Sequence, residues 1–178
     1  TLFRSHKDPS TGSTCKSDQM PKMGVDFAHM FNTDVRLLRF LAPLPAAPED
    51  VTDERRFQEH VARTVAEACR LAASDMLHLY PGELRSTYRL YASAGCIAEV
   101  VLYDGVPGGA GYCARLGTPQ FSFQELMLGA LRRLECPQDC ESACRACLCD
   151  YGNQRHWDSF RRKEAMAWLK ALLEGPPQ

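Results

Sequence analysis

The feature that most constrains the fold of this chain is a cluster of cysteines near its C-terminal end. Five of the nine cysteines lie between Cys136 and Cys149, with the spacing C-x3-C-x3-C-x2-C-x-C. Thiolates are soft ligands, and four of them satisfy the tetrahedral preference of Zn²⁺. The surrounding segment has no apolar run long enough to form its own core, so a metal can take that place. The cluster predicts structural zinc.

Other uses of these cysteines compete with zinc. Four thiolates also suit an iron–sulfur cluster. Disulfides or free buried thiols are a further alternative, which the odd number of cysteines and the lack of a signal-peptide pattern disfavour. A redox sensor built on a Cys147–Cys149 bond is the third. Reduced thiols that bind a metal are typical of the cytoplasm, and we expect the protein to be there.

Length and composition set the scale of the fold. The 178 residues suffice for one compact domain or for a domain with a small appendage, and the net charge of −1 gives no global basic field. No apolar run approaches the roughly 20 residues of a membrane span, so we expect no membrane association. Residues 1–22 are polar and predict a loop or flexible segment, and residues 23–178 predict the folded domain, with the zinc knuckle at 136–150.

Hydrophobic periodicity predicts an α+β domain with a small mixed sheet. The strings VDFAHMF (25–31) and TDVRLLRFL (33–41) are strand-like, and residues 84–92 and 96–104 predict a hairpin with its turn at 93–95. Residues 52–79 predict a helix with one apolar stripe and a solvated outer face. A second helix at 123–135 begins with a capping box from Ser122 and Glu125, and a last helix is expected from Trp157 to Leu173.

A polar site is possible at the end of the hairpin. Glu99 lies within an apolar strand, where a carboxylate must be paired, and Asp104 falls on the opposite face or just beyond the strand. The following loop contains Gly108 and Gly109, and such turns can present N–H groups to a phosphate. A hydrolase or nuclease using Glu99 and Asp104 is therefore an alternative function. The simpler interpretation is a structural role for Glu99 and a tight turn at the glycines.

A short basic segment follows the cysteines. Its candidate contacts to DNA or to a partner are Arg155, His156, Arg161, Arg162 and Lys163. Guanidinium groups beside a rigid metal knuckle are suited to phosphate contacts. The alternative is a solvated helix face.

Taken together, the strings YDGVPGGAG, CxxxCxxxCxxCLxxYxNQxxH and RKEAMAWL resemble the MrfA-like zinc-binding domain family, MZB. The resemblance spans about residues 24–173. It implies that Cys136, Cys140, Cys144 and Cys147 bind zinc, with Cys149 spare or able to exchange into the site. Such domains lie at the C-terminal end of superfamily 2 DNA repair helicases and in anti-phage defence proteins, including one of the DISARM system.

The resemblance implies a noncatalytic module. Four cysteinates leave no open zinc position for water, and the chain contains no phosphate-loop lysine motif, so the domain is not expected to be an enzyme. Any ATP hydrolysis would belong to a helicase motor domain or subunit, which is the expected partner. DNA is expected to bind through the parent complex.

Overall fold

The computed structural model describes residues 11–13, 30–92 and 96–175. The chain divides into two compact units, Thr1–Met30 and Phe31–Gln178. In the first unit, Thr11 Oγ1 accepts hydrogen bonds from the N–H and the hydroxyl of Ser13, at 3.4 and 2.7 Å. The predicted domain boundary after residue 22, most of the strand predicted at 25–31 and the hairpin turn at 93–95 lie outside the described residues.

The second unit contains three strands, four α-helices and one 3-10 helix within the part of the chain that is described. In chain order these are β1 (Val35–Pro43), α1 (Glu54–Leu77), β2 (Leu84–Tyr91), β3 (Ile97–Asp104), α2 (Tyr112–Arg115), α3 (Phe123–Leu134), the 3-10 helix (Tyr151–Ser159) and α4 (Arg162–Glu174). The α+β class predicted from the sequence is confirmed.

The sheet has the order β1-β3-β2, and both outer strands run antiparallel to β3. A mixed sheet was predicted, and the observed one is wholly antiparallel. The almost continuous apolar sequence of β3 fits its central position, since a central strand is buried on both faces. Val100 and Leu102 face the core on one side, whereas Glu99 projects from the other.

Helix α1 packs its apolar stripe against the sheet and against α3 and α4. Asp53 caps its first turn by accepting a hydrogen bond from the N–H of Arg56 at 2.9 Å. His78, in the left-handed conformation at φ 55°, ends it. Val61 and Val65 are fully buried, and each such side chain contributes about 1.5–3 kcal/mol. The predicted helix is confirmed.

Helix α3 begins as its sequence predicts. Ser122 Oγ accepts from the N–H of Glu125 at 3.1 Å, and the Glu125 carboxylate accepts from the N–H of Ser122 at 3.3 Å. This reciprocal box satisfies two otherwise unpaired N–H groups. The helix ends at Leu134, and Cys136 therefore lies just beyond its last turn, at the start of the knuckle.

The prediction of one helix from Trp157 to Leu173 was wrong. The 3-10 helix ends at Ser159, Phe160 is extended, and α4 begins at Arg162. Two contacts cause the break: the Phe160 side chain is fully buried in the core, and the N–H of Arg161 donates to Thr64 Oγ1 on α1 at 2.8 Å. These contacts pull the backbone onto α1 and interrupt the helix.

Candidate metal centre

Four cysteine sulfurs converge at the end of α3. The Sγ atoms of Cys136, Cys140, Cys144 and Cys147 all lie within 4.8 Å of one another. Cys136 and Cys144 are 3.5 Å apart, Cys140 and Cys147 3.7 Å, and Cys144 and Cys147 3.8 Å. Sulfurs bound about 2.3 Å from one zinc ion would be about 3.8 Å apart in a tetrahedron. The donor set therefore fits a zinc ion in size and in chemistry.

Tight turns between the cysteines produce this convergence. Asp139, at φ 43°, reverses the chain between Cys136 and Cys140, and its N–H donates to the Cys136 carbonyl at 3.0 Å. The Cys144 carbonyl accepts from the N–H groups of Cys147, Leu148 and Cys149 at 3.0–3.1 Å. Because one carbonyl gathers three N–H groups, the Cys-x2-Cys step closes without a longer loop.

The protein surroundings favour a thiolate at one ligand position. A backbone hydrogen bond from Cys140 lowers the pKa of Cys136 to about 6. Burial, together with the neighbouring sulfurs, raises the pKa of Cys140 to about 12. A cation must therefore displace the proton from Cys140, as thiolate–zinc coupling provides.

Cys149 lies outside the group of four. It is half-buried and forms no disulfide. Burial raises the pKa of its thiol to about 11, and the nearby Cys144 and Cys140 add to the effect. Its position, and not the pKa of its thiol, sets Cys149 apart, because Cys140 also has a raised pKa and yet lies within the convergent group.

Arg162 occupies a position that the sequence prediction did not foresee. Its side chain is 1% exposed, and it donates to the Leu134 carbonyl at 2.8 Å and to the Cys140 carbonyl at 2.9 Å. It also pairs with Asp139 at 3.0 Å. The prediction that Arg162 contacts DNA was wrong, because its guanidinium is enclosed between the end of α3 and the knuckle. It ties α4 to the metal loop.

A second buried network joins the knuckle to α1. Glu67 Oε1 accepts from Arg70 Nε at 2.9 Å and from Asn153 Nδ2 at 2.6 Å. Asn153 also donates to the Leu148 carbonyl at 2.7 Å, and Arg70 pairs with Asp150. The outer face of α1 was predicted to be solvated, yet Glu67 and Arg70 are buried. The sequence signal for this ion pair was the spacing of Glu67 and Arg70, because an acidic and a basic residue three positions apart lie side by side on a helix.

The remaining basic residues do not form one patch. Lys163 pairs with Glu141 at 2.5 Å on the knuckle surface. Arg161 is half-buried beside α1, and its positive charge lowers the pKa of His60, second to burial. Arg155, within the 3-10 helix, is exposed and donates to His156 Nε2 at 3.1 Å.

Glu99 has a structural environment. Its carboxylate accepts from Arg39 at 2.8 and 3.0 Å and from the Tyr91 hydroxyl at 3.1 Å, with Arg89 at 3.8 Å. The hydrogen bonds from Arg39 hold the pKa of Glu99 below its usual value. The carboxylate is thus paired on the outer face of the sheet, as a buried charge requires.

Asp104 organises the glycine loop. Its carboxylate accepts from the N–H groups of Ala110, Tyr112 and Cys113 at 2.7–3.0 Å. Burial raises the pKa of Asp104, but these hydrogen bonds outweigh it and hold the pKa below its usual value. The N–H groups that a phosphate would need are already bound to Asp104.

The two glycines serve this turn. Gly108 and Gly109 have φ of 88° and 77°, and a Cβ on Gly109 would lie 2.6 Å from Asp34 Oδ2. Glu99 and Asp104 project from opposite faces of β3, and the structure does not bring them together. The hydrolase alternative gains no support from this geometry.

Comparison with known families agrees with the geometry. Residues 65–148 match the sequence model of the MZB family, the MrfA Zn-binding domain. The chain contains an MZB domain. The matched range includes all four convergent cysteines and stops before Cys149. Zinc is accordingly the cofactor of this domain, and the cluster at 136–147 is suited to hold it as a structural ion.

Two longer proteins are similar to this MZB chain. The Druantia protein DruE of Escherichia coli (strain UMEA 4076-1) is 32% identical over 162 residues, which are 85% of this chain and 8% of DruE. The crystal structure of the DUF1998 helicase MrfA bound to DNA matches with a TM-score of 0.45 and 14% identity, over 70% of this chain and 15% of MrfA. The chain thus spans a small fraction of both relatives.

None of the helices in residues 30–92 and 96–175 combines the length and the hydropathy that a membrane span requires.

Proposed function

We propose that this chain is a noncatalytic zinc module of a larger helicase or anti-phage defence assembly, in which it supports the binding of DNA or of a partner subunit. The observation that carries the proposal is the closed four-sulfur cluster. Four thiolates complete the zinc tetrahedron and leave no position for a reactive water, which is typical of structural sites.

The hydrogen bonds around the cluster support a scaffolding role. Arg162 connects the knuckle to α3 and α4, and Asn153 connects it to Glu67 on α1. Zinc would thereby fix the relative positions of three helices and of the exposed cations near them. Arg155, His156, Arg161 and Lys163 remain the candidate contacts to DNA or partner.

The similarity to the Druantia protein DruE and the MZB match favour a place within a much longer polypeptide. A helicase motor domain or subunit is the proposed partner, and ATP hydrolysis is assigned to it. We place the protein in the cytoplasm, where thiols stay reduced and can bind a metal.

The test uses the parent protein with Cys147→Ser and, as a matched control, Cys149→Ser. We expect Cys147→Ser to lose zinc and to weaken DNA binding or partner binding at least tenfold, while Cys149→Ser changes neither. A parent protein that loses zinc but keeps both affinities would contradict the proposal. ATP hydrolysis by the isolated chain would contradict its noncatalytic part.

A further inference from the structure

A cleft of about 320 Å³ opens between α1, β2 and the 3-10 helix, and Lys163 is not among the residues that line it. Its volume falls at the lower end of ligand sites, about 300–1,000 Å³. The lining residues that could contact a ligand are Arg63, Arg85, Tyr103, Tyr151, Arg155 and His156. Of these, only Arg155 and His156 were predicted from the sequence to bind a ligand.

The cleft is electropositive, and the acidic side chains in its floor are ion-paired. Four arginines and two carboxylates line it, for a formal charge of +2 with His156 neutral. Both carboxylates, Glu67 and Asp150, bind Arg70 in the floor. Because these acids are already paired, the charge presented to a ligand comes from the other three arginines.

Those three arginines lack anionic partners among the described residues. None of Arg63, Arg85 and Arg155 forms an ion pair with any residue that the structure describes. Arg63 lies 4.7 Å over the Tyr88 ring and donates to the Ser86 carbonyl at 3.3 Å, which positions it without neutralising it. Arginine in this state is suited to phosphate oxygens.

The electrostatic effect of these cations is visible at His156. Burial lowers the pKa of His156, and the positive charges of Arg63 and Arg155 lower it further. Both effects disfavour the protonated imidazole, and Arg155 also donates to His156 Nε2 at 3.1 Å. Two cations from different elements thus act on one point of the cleft.

Aromatic surface lies beside the cations. Tyr151, the first residue of the 3-10 helix, is 89% exposed at the cleft, and Tyr103 is half-exposed on β3. Unpaired arginines interleaved with exposed aromatic rings are the composition of sites for single-stranded nucleic acid, since phosphates bind the cations and bases stack on the rings. A duplex presents its bases inside grooves and cannot place them on these rings.

We infer that this cleft binds a nucleic-acid single strand, with Arg63, Arg85 and Arg155 on its phosphates and Tyr151 stacked on a base. The inference rests on the proposed function and deepens it, because it moves the contact surface from α4 to the cleft and names the ligand class. The cleft has room for about one nucleotide, so the strand would run across its mouth.

The experiment measures binding of a fluorescein-labelled 20-nucleotide oligo-dT to the zinc-loaded full chain by fluorescence anisotropy at several salt concentrations. We expect Tyr151→Ala to weaken binding about tenfold, whereas Tyr151→Phe retains it, because stacking needs the ring and not the hydroxyl. Arg85→Ala should weaken binding and reduce the salt slope by about 0.7.

Matched control variants distinguish binding in the cleft from nonspecific attraction to exposed positive charge. The variant R55A/R56A/R132A removes three exposed arginines outside the cleft and should bind as the wild type does, whereas R63A/R85A/R155A should lose binding and about 2 units of salt slope. A 20-base-pair duplex should compete poorly. Equal losses in the two triple variants, an unchanged Tyr151→Ala, or equal competition by the duplex would overturn the inference.

The outcomes for the two proposals differ. If oligo-dT binding depends on Arg161 and Lys163 but not on the cleft, the cleft assignment fails and the zinc-module proposal stands. If the parent protein keeps its DNA and partner affinities after zinc loss, the proposed function fails whatever the cleft variants do.

Discussion

At the scale of single residues, the structure separates two kinds of arginine that look alike in the sequence. Arg161 and Arg162 are adjacent, yet only the guanidinium of Arg162 is enclosed by carbonyls at the end of α3 and in the knuckle. Charge count alone cannot give this distinction, because it depends on the break at Phe160, which sets where α4 begins. The sequence therefore located the basic segment and misassigned its buried member.

Arg162→Ala should destabilise the domain strongly, since it leaves the Leu134 and Cys140 carbonyls buried without their donor. We expect a loss of about 3 kcal/mol in the free energy of unfolding. Lys163→Ala, which removes an exposed pair, should leave the free energy of unfolding nearly unchanged. Chemical denaturation of the two zinc-loaded variants measures both, and similar values would contradict the role assigned to Arg162.

The choice of zinc ligands is also a matter of single residues. Cys147→Ser should abolish zinc binding, because its sulfur belongs to the convergent group. Cys149→Ser should leave zinc content and Tm nearly unchanged. Elemental analysis and thermal unfolding of the two variants measure these effects. Loss of zinc in Cys149→Ser but not in Cys147→Ser would show that Cys149 is a ligand.

At the scale of elements, local signals predicted what local interactions determine. The capping box at Ser122, the apolar stripe of α1 and the almost continuous apolar sequence of β3 were all readable from the sequence and are present in the structure. The break between the 3-10 helix and α4 was not readable, because it depends on the hydrogen bond from Arg161 N–H to Thr64, which is distant in sequence. The burial of Glu67 likewise depends on Asn153, beyond the knuckle.

The turn after β3 gives a prediction about acid stability. The pKa of Asp104 is lower in the folded protein than in the unfolded chain, so its contribution is complete above about pH 4 and is lost as the pH falls through the folded pKa. Asp104→Asn removes this titration and part of the acceptor capacity for the loop N–H groups.

We expect Asp104→Asn to destabilise the domain by about 1–3 kcal/mol at pH 7 and to flatten the loss of stability below about pH 4. Asp158→Asn is a suitable control, because Asp158 is exposed and its side chain makes no hydrogen bond within the described residues. Denaturation from pH 2 to pH 7 measures both effects. If the stability of Asp104→Asn fell below about pH 4 as steeply as that of the wild type, the role assigned to Asp104 would be contradicted.

At the scale of the whole molecule, the zinc cluster connects elements that the sheet does not hold. The core beneath β3 and α1 is built from apolar side chains, whereas the knuckle and the start of α4 depend on Arg162 and the cysteines. The stability of the molecule should therefore be uneven.

Zinc removal by a strong chelator should loosen the knuckle and α4 before the sheet. Hydrogen exchange should rise at residues 136–150 and 162–174, while the amides of β3 stay protected. Restoring zinc should restore protection. A uniform response along the chain would show that the knuckle is not a separate cooperative unit.

The central claim is that four cysteines form a closed structural zinc site, and X-ray absorption at the zinc edge of the purified chain tests it most directly. We predict about one zinc ion per chain, surrounded by four sulfur atoms at about 2.3 Å and no nitrogen or oxygen neighbour. Iron in place of zinc, or fewer than four sulfurs with an oxygen neighbour, would contradict the claim.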